Sequence, residues 1–175
     1  IMPNKNLKVL VGVVALVLIA GLAVFMKPPI GYNQGYQPTQ PIPYDHSLHA
    51  GKLEIPCQYC HSNASYARHS SVPALNICMN CHNQVKTQSE HIKKLADHYN
   101  EGKSIQWQKV HLLPDFVHFN HQRHVRRGVG CQTCHGPIET MKEVFQYSDL
   151  SMGWCVNCHR KPENNAPVSC STCHY

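Results

Sequence analysis

The chain has 175 residues, a formal net charge of +6 at pH 7, ten cysteines and fourteen histidines. The positive charge alone would be compatible with a nucleic-acid-binding protein, a class that the cysteine pattern excludes below. The first thirty residues are far more apolar than the rest, which excludes one uniform globular domain.

The first predicted element is an apolar helix within residues 1–27. Eighteen residues without a charge, Val9–Met26, lie between Lys8 and Lys27, and a membrane-spanning helix needs about 17–25. The alternative is a cleavable signal peptide, whose apolar run is about 7–15 residues and ends at small residues. Because the run continues past its poor candidate site at 20–23, we predict an uncleaved transmembrane signal anchor, with the preceding lysines on the cytoplasmic side.

Residues 28–43 are predicted to form a linker. They contain five prolines, two glycines and no charge, a composition typical of extended, semi-rigid chain. The linker is either a spacer between membrane and domain or a strip that contacts a partner through Ile30, Tyr32 and Tyr36.

The cysteines of residues 44–175 all belong to five copies of Cys-x-x-Cys-His, the attachment motif of c-type haem. On a helical turn the two sulfurs share a face and form thioethers, while the following imidazole reaches the iron as proximal ligand. A disulfide scaffold and zinc ribbons also use Cys-x-x-Cys, but neither requires the histidine. The predicted attachment cysteines are Cys57, Cys60, Cys78, Cys81, Cys131, Cys134, Cys155, Cys158, Cys170 and Cys173, and the proximal histidines are His61, His82, His135, His159 and His174.

The presence of five covalent haems bears on the fold class and on whether the protein binds nucleic acid. The 132 residues from 44 to 175 (175 − 43) are too few for an ordinary apolar core around five haems and a separate substrate domain. We therefore predict a mainly irregular fold with short α-helices, in which haem forms most of the core. Each ferric haem adds two negative propionates and a core of about +1, so five haems contribute about −5 in total. This roughly cancels the charge of +6 and removes the argument for nucleic acid.

The haem region repeats itself. Tyr44 and His118–Phe119 stand before two His-x-x-His pairs, each pair is followed by a haem motif after six or seven residues, and a second motif follows each. We predict two related two-haem modules and a terminal haem at residues 170–174. Because imidazoles three residues apart point to one side of a helix, the pairs are predicted distal iron ligands: His46, His49, His121 and His124.

The fifth predicted distal ligand is His111, in an apolar stretch where a buried imidazole needs a partner. His91 and His98, on a predicted helix at 89–100 with Ile92, Leu95 and Tyr99 inward, are expected to be solvated. His69, in a polar loop, and His118, as a packing residue, are not expected to be ligands. Met141 and Met152 are alternative iron ligands, but Met141 falls with Ile138 and Phe145 on one helical face, which favours a place in the core.

These features resemble the pentahaem cytochrome c subunit of bacterial alternative complex III. The resemblance is carried by the apolar helix, the proline linker, PYDHSLHAGKLEIPCQYCH, ICMNCH, WQKVHLLPDFVHFNHQRHVRRGVGCQTCHG and LSMGWCVNCHR. The His-x-x-His segments are also similar to the small c7-type cytochromes. His118 stands where such subunits are expected to have tyrosine, and the assignment of His111 depends partly on this resemblance.

The resemblance implies an electron-transfer subunit without a catalytic site of its own. It implies electrons arriving from an iron–sulfur subunit that receives them from quinol, and leaving to a monohaem cytochrome, a soluble carrier or a terminal oxidase. It implies polytopic membrane subunits as partners. Because haem c is attached outside the cytoplasm, we expect a single-pass inner-membrane protein with a periplasmic haem domain.

Two other classes of function remain open at this stage. A membrane-anchored quinol dehydrogenase that feeds a periplasmic reductase has a haem close to the membrane, whereas here the linker separates helix and haems. A catalytic multihaem enzyme needs an iron with an open position, whereas nine histidines outside the motifs are available to five irons.

Overall fold

The computed structural model describes residues 4–25 and 33–175, which belong to two compact units. In the first unit, helix α1 spans Lys5–Phe25. Its mean hydropathy is 2.7, because its sequence is apolar on every face, and none of it is buried. By length and composition α1 is able to cross a membrane, and a signal sequence passes the same test. Met26 and Lys27, in the predicted anchor, lie outside the described residues.

The second unit contains short helices joined by irregular chain, and residues 33–175 include no β-strand. Its α-helices are α2 (Cys57–Cys60), α3 (Leu75–His82), α4 (Glu90–Asn100), α5 (His121–Arg126), α6 (Gln132–His135) and α7 (Met152–His159). A π-helical turn spans Ser47–Lys52, and 3₁₀ turns span Ser62–Ser65, Ile138–Thr140, Pro162–Asn164 and Cys170–Thr172. The mainly irregular fold with short α-helices is confirmed.

The polypeptide has little apolar core of its own. Among the described residues, the buried hydrophobic side chains are Ile42, Leu95, Ile105 and Met141. Three of these, Ile42, Leu95 of α4 and Ile105, form one cluster, against which side chains of α3 pack. So few buried apolar side chains in a unit of this size agree with the prediction that the chain is too short for an ordinary apolar core.

Two predictions about local packing are only partly confirmed. Helix α4 places Leu95 in the core, but Tyr99, predicted to face inward, is 45 % exposed. Met141 is 5 % exposed and lies in the core as predicted, but not on a helical face. The 3₁₀ turn ends at Thr140 and Met141 is extended (φ −90°, ψ 119°), so its burial comes from tertiary packing.

The described part of the predicted linker packs on the second unit. The Gly35 N–H donates to the Gln146 carbonyl (2.8 Å) and the Gln146 N–H donates to the Tyr36 carbonyl (3.0 Å). The Gln40 side chain exchanges two hydrogen bonds of 2.9 Å with the backbone of Gln108. Residues 33–43 are thus held along the domain, while 28–32, with Ile30 and Tyr32, lie outside the described residues.

Candidate haem centres

Each Cys-x-x-Cys-His motif lies on or beside a single helical turn. The five motifs coincide with α2, α3, α6, α7 and the 3₁₀ turn Cys170–Thr172. None of the ten cysteines, which all lie in the described residues, forms a disulfide bond, and all are exposed or partly exposed. All five pairs are therefore left for thioether attachment to haem.

The histidine side chains show one repeated hydrogen-bond arrangement. In seven of the predicted ligands, Nδ1 lies 2.7–3.1 Å from a backbone carbonyl oxygen. A carbonyl only accepts, so Nδ1 must carry the proton and Nε2 keeps a free lone pair, the form in which imidazole binds a metal. The seven and their acceptors are His49 with Asp45, His61 with Ser71, His82 with Val85, His121 with Arg68, His124 with Asn120, His159 with Pro167 and His174 with Phe116.

Three motif histidines face a histidine of a His-x-x-His pair across a gap. The ring centroids are 6.2 Å apart in His49–His82, 6.4 Å in His121–His135 and 5.9 Å in His124–His159. Metal–nitrogen bonds of about 2 Å, with about 1 Å from nitrogen to ring centre, place two trans imidazoles about 6 Å apart. The three centroid separations therefore match the value expected for two imidazoles that share one metal ion.

The remaining histidine of the pairs, His46, is half-buried with a buried Nδ1 that has no hydrogen-bond partner. Burial, followed by the nearby His61 and His49, lowers its pKa to about 4. Burial also lowers the pKa of His135 to about 4, and it lowers the pKa values of His121 and His111. All four shifts favour the neutral imidazole, the form that metal ligation requires.

An aromatic residue braces each His-x-x-His pair in the same way. Tyr44 meets His46 edge-on (centroids 4.7 Å) and stacks on His49 (4.5 Å). Phe119 meets His121 edge-on (4.8 Å) and stacks on His124 (4.5 Å). The aromatic position before each pair was visible in the sequence, but its bracing role was not.

His111 does not lie opposite a motif histidine as the paired histidines do. Its Nε2 is 3.2 Å from Nδ1 of His135, and the two rings meet edge-on with centroids 4.4 Å apart. The aromatic ring at His174 is instead that of Phe116, stacked at 5.9 Å. The assignment of His111 as the fifth distal ligand stays a prediction.

The other candidate side chains occupy varied positions. His118 stacks on Tyr175 (4.4 Å), and its Nδ1 is 2.7 Å from the guanidinium of Arg68. His98 has a buried Nδ1 without a partner, which its expected solvated position did not suggest. His69 and His91 are exposed, and Met152 is 67 % exposed.

The chemistry of this donor set fits haem c. Paired thiols lie beside an imidazole with a free Nε2, and second imidazoles stand at the separation that one metal ion requires. Residues 117–175 match the family model of cytochrome c7 and related cytochrome c. The match covers about a third of the chain, with the second His-x-x-His pair and the last three motifs. No curated protein matches the chain.

Similarity to this multihaem cytochrome family implies covalently bound c-type haem and electron transfer. The matched segment is the one in which His121 faces His135 and His124 faces His159. Residues 1–116, with the first His-x-x-His pair and the first two motifs, lie outside the match.

Proposed function

We propose that this chain is the multihaem electron-transfer subunit of a membrane-bound, quinol-oxidising respiratory complex, anchored by α1 and holding five covalent haems c on the periplasmic side. The observation that carries the proposal is that three motif histidines lie opposite histidines of the His-x-x-His pairs, with ring centroids 5.9–6.4 Å apart. A bound haem c supplies an iron that accepts and releases one electron.

In the proposed ligand set, each His-x-x-His pair serves the two motifs of its own module. The first histidine of each pair is assigned to the first motif and the second to the second motif. Three assignments are supported by the ring separations, and His46–His61 is supported by the equivalent position of His46 and its proximity to His61. The two modules are thus proposed to be duplicates that bind their irons alike.

The motifs also lie in a continuous spatial series. Burial and then a nearby thiol of another motif raise the pKa values of four cysteines: Cys78 near Cys60, Cys131 near Cys57, Cys134 near Cys155, and Cys155 near Cys173. The Asn80 amide also donates to the Tyr59 hydroxyl (3.0 Å) between the first two motifs. The proposed order is therefore second, first, third, fourth, fifth, which suits a relay.

The proposed electron donor is an iron–sulfur subunit, and the acceptor is a monohaem cytochrome or a terminal oxidase. Val9–Phe25, the described part of the apolar run, contains no ionisable or amide side chain to bind a quinone headgroup. This composition favours a relay that receives electrons from a partner over a chain that oxidises quinol itself.

The alternative is a membrane-anchored quinol dehydrogenase, and one observation favours it. Residues 33–43, eleven of the sixteen residues of the predicted linker, are held along the haem domain by hydrogen bonds to Gln146 and Gln108. Those residues are therefore not a free spacer, and the argument from linker length against a direct quinol dehydrogenase is weaker.

Stopped-flow reduction separates the two functions. The purified subunit in detergent is mixed with a quinol analogue, with and without the membrane fraction that contains its co-purifying partners. A relay is reduced slowly alone and rapidly with partners that include an iron–sulfur protein. Rapid reduction of the isolated chain that a quinol-site inhibitor abolishes would establish the dehydrogenase instead.

A further inference from the structure

The hydrogen-bond partner of His135 sets it apart from the other motif histidines. At His61, His82, His159 and His174 the Nδ1–H donates to a backbone carbonyl. At His135 the atom within reach of Nδ1 is Nε2 of another side chain, His111, at 3.2 Å.

The direction of this hydrogen bond follows from ligation. If Nε2 of His135 holds the metal, its Nδ1 carries the proton and donates, and Nε2 of His111 accepts. The facing of His135 and His121 at 6.4 Å, with nearly parallel rings (12°), supports that orientation of His135. His111 Nε2 is then occupied by the hydrogen bond and is not free to ligate another iron.

The environment of His111 and His135 strengthens the hydrogen bond between them. The contact between Nδ1 of His135 and Nε2 of His111 is partly buried. A partly buried hydrogen bond is stronger than an exposed one because water competes less. An acceptor on Nδ1 makes the ligating imidazole more basic and orients its ring.

We propose that His111 is a positioning residue for His135: it accepts the Nδ1 hydrogen bond of that proximal ligand and lowers the reduction potential of the third motif's haem. This inference rests on the proposed function, because it requires a haem at residues 131–135. It replaces the role of distal ligand that the sequence predicted for His111.

The test uses the full-length, haem-loaded chain with His111→Ala, His111→Gln and, as control, His91→Ala, which alters an exposed histidine of α4. Intact mass, spin state and a redox titration followed by visible and EPR spectra are recorded for each. In His111→Ala we expect an unchanged haem count and spin state, with one midpoint potential raised, because loss of the acceptor makes ferric iron less favourable. Since the Gln Oε1 also accepts, His111→Gln is expected to return that potential toward wild type, and His91→Ala to leave all potentials unchanged.

Two outcomes would overturn this inference and leave the proposed function intact. A new high-spin haem in His111→Ala, with the haem count intact, would make His111 a distal ligand. Unchanged midpoint potentials in every variant would show that the His111 side chain only packs against its neighbours. If His111→Ala does not mature, His111→Leu, which fills the space without an acceptor, is measured instead: one raised midpoint potential in a low-spin chain supports the inference, and a high-spin haem or unchanged potentials overturn it. A wild-type chain whose Cys131 and Cys134 thiols are free would overturn the inference together with the proposed haem at this motif.

Discussion

The backbone N–H of Ser47 donates to the carbonyl oxygen of Met141 at 3.0 Å, which joins the first His-x-x-His segment to the chain after the third motif. The reverse contact also exists: the N–H of Gln122 donates to the carbonyl of Ala67 at 3.2 Å. Ser47 and Gln122 each follow the first histidine of a pair, and both acceptors lie six residues after a motif histidine. Each histidine pair is therefore held by the other half of the domain.

This reciprocal contact predicts a specific effect of Gly51→Ala. A Cβ at Gly51 would overlap the carbonyl oxygen of Glu139, so the turn Ser47–Lys52 has to move away from the chain after the third motif. We expect a loss of about 1–3 kcal/mol of stability, measured as a lower Tm of the haem-loaded protein. Gly130→Ala is the matched control, because its Cβ would meet nothing closer than 3.8 Å. Equal Tm values for the two variants would contradict the contact.

The number of haems is the second prediction. Each motif combines two cysteines that form no disulfide with an adjacent histidine, so intact-mass measurement after denaturation should show five haem additions. The double variant Cys170→Ala, Cys173→Ala should show four, because thioether attachment needs the thiols. Free thiols at one pair of the wild-type chain would show that the motif concerned carries no haem.

The spin state of His121→Ala is the third prediction. The His121 ring faces His135 at 6.4 Å, so its removal should leave one iron without a second imidazole. We expect one high-spin haem in the visible and EPR spectra and no change in the other four. The control His91→Ala should remain entirely low-spin. A low-spin spectrum for His121→Ala would show that another side chain ligates that iron.

Truncation gives the fourth prediction. Residues 33–175 form the described part of one compact unit, so a chain starting at residue 33 behind a cleavable export signal should be released as a soluble protein with all its haems. Membrane and soluble fractions are compared by haem staining, with the full-length chain as reference. Retention of the truncated chain in membranes that lack its partners would mean that α1 is not the anchor.

A large part of the candidate site was predictable from residue types and spacing. Cys-x-x-Cys-His is a local motif, and its geometry needs only one helical turn, so the positions of the attachment thiols and proximal imidazoles follow from adjacent residues. The scarcity of regular structure was also predictable, because so short a chain around several large cofactors has few apolar side chains to bury.

Other features depended on residues distant in sequence, and only the tertiary structure decided them. The sequence predicted Met141 as a core residue through a helix, whereas it is buried by contact with another part of the domain. It predicted a linker ending at residue 43, whereas residues 33–43 pack along the domain because Gln146, fully buried, pairs with Tyr36.

The contrast is sharpest among the histidines. Residue spacing by itself determined that His46, His49, His121 and His124 form two equivalent pairs, since three residues bring two imidazoles to one side of a turn. It did not determine which motif each one faces, or that His111 lies against Nδ1 of His135, 24 residues away. Those relations arise when separate segments pack together, because hydrogen bonds across such distances depend on the path of the whole chain.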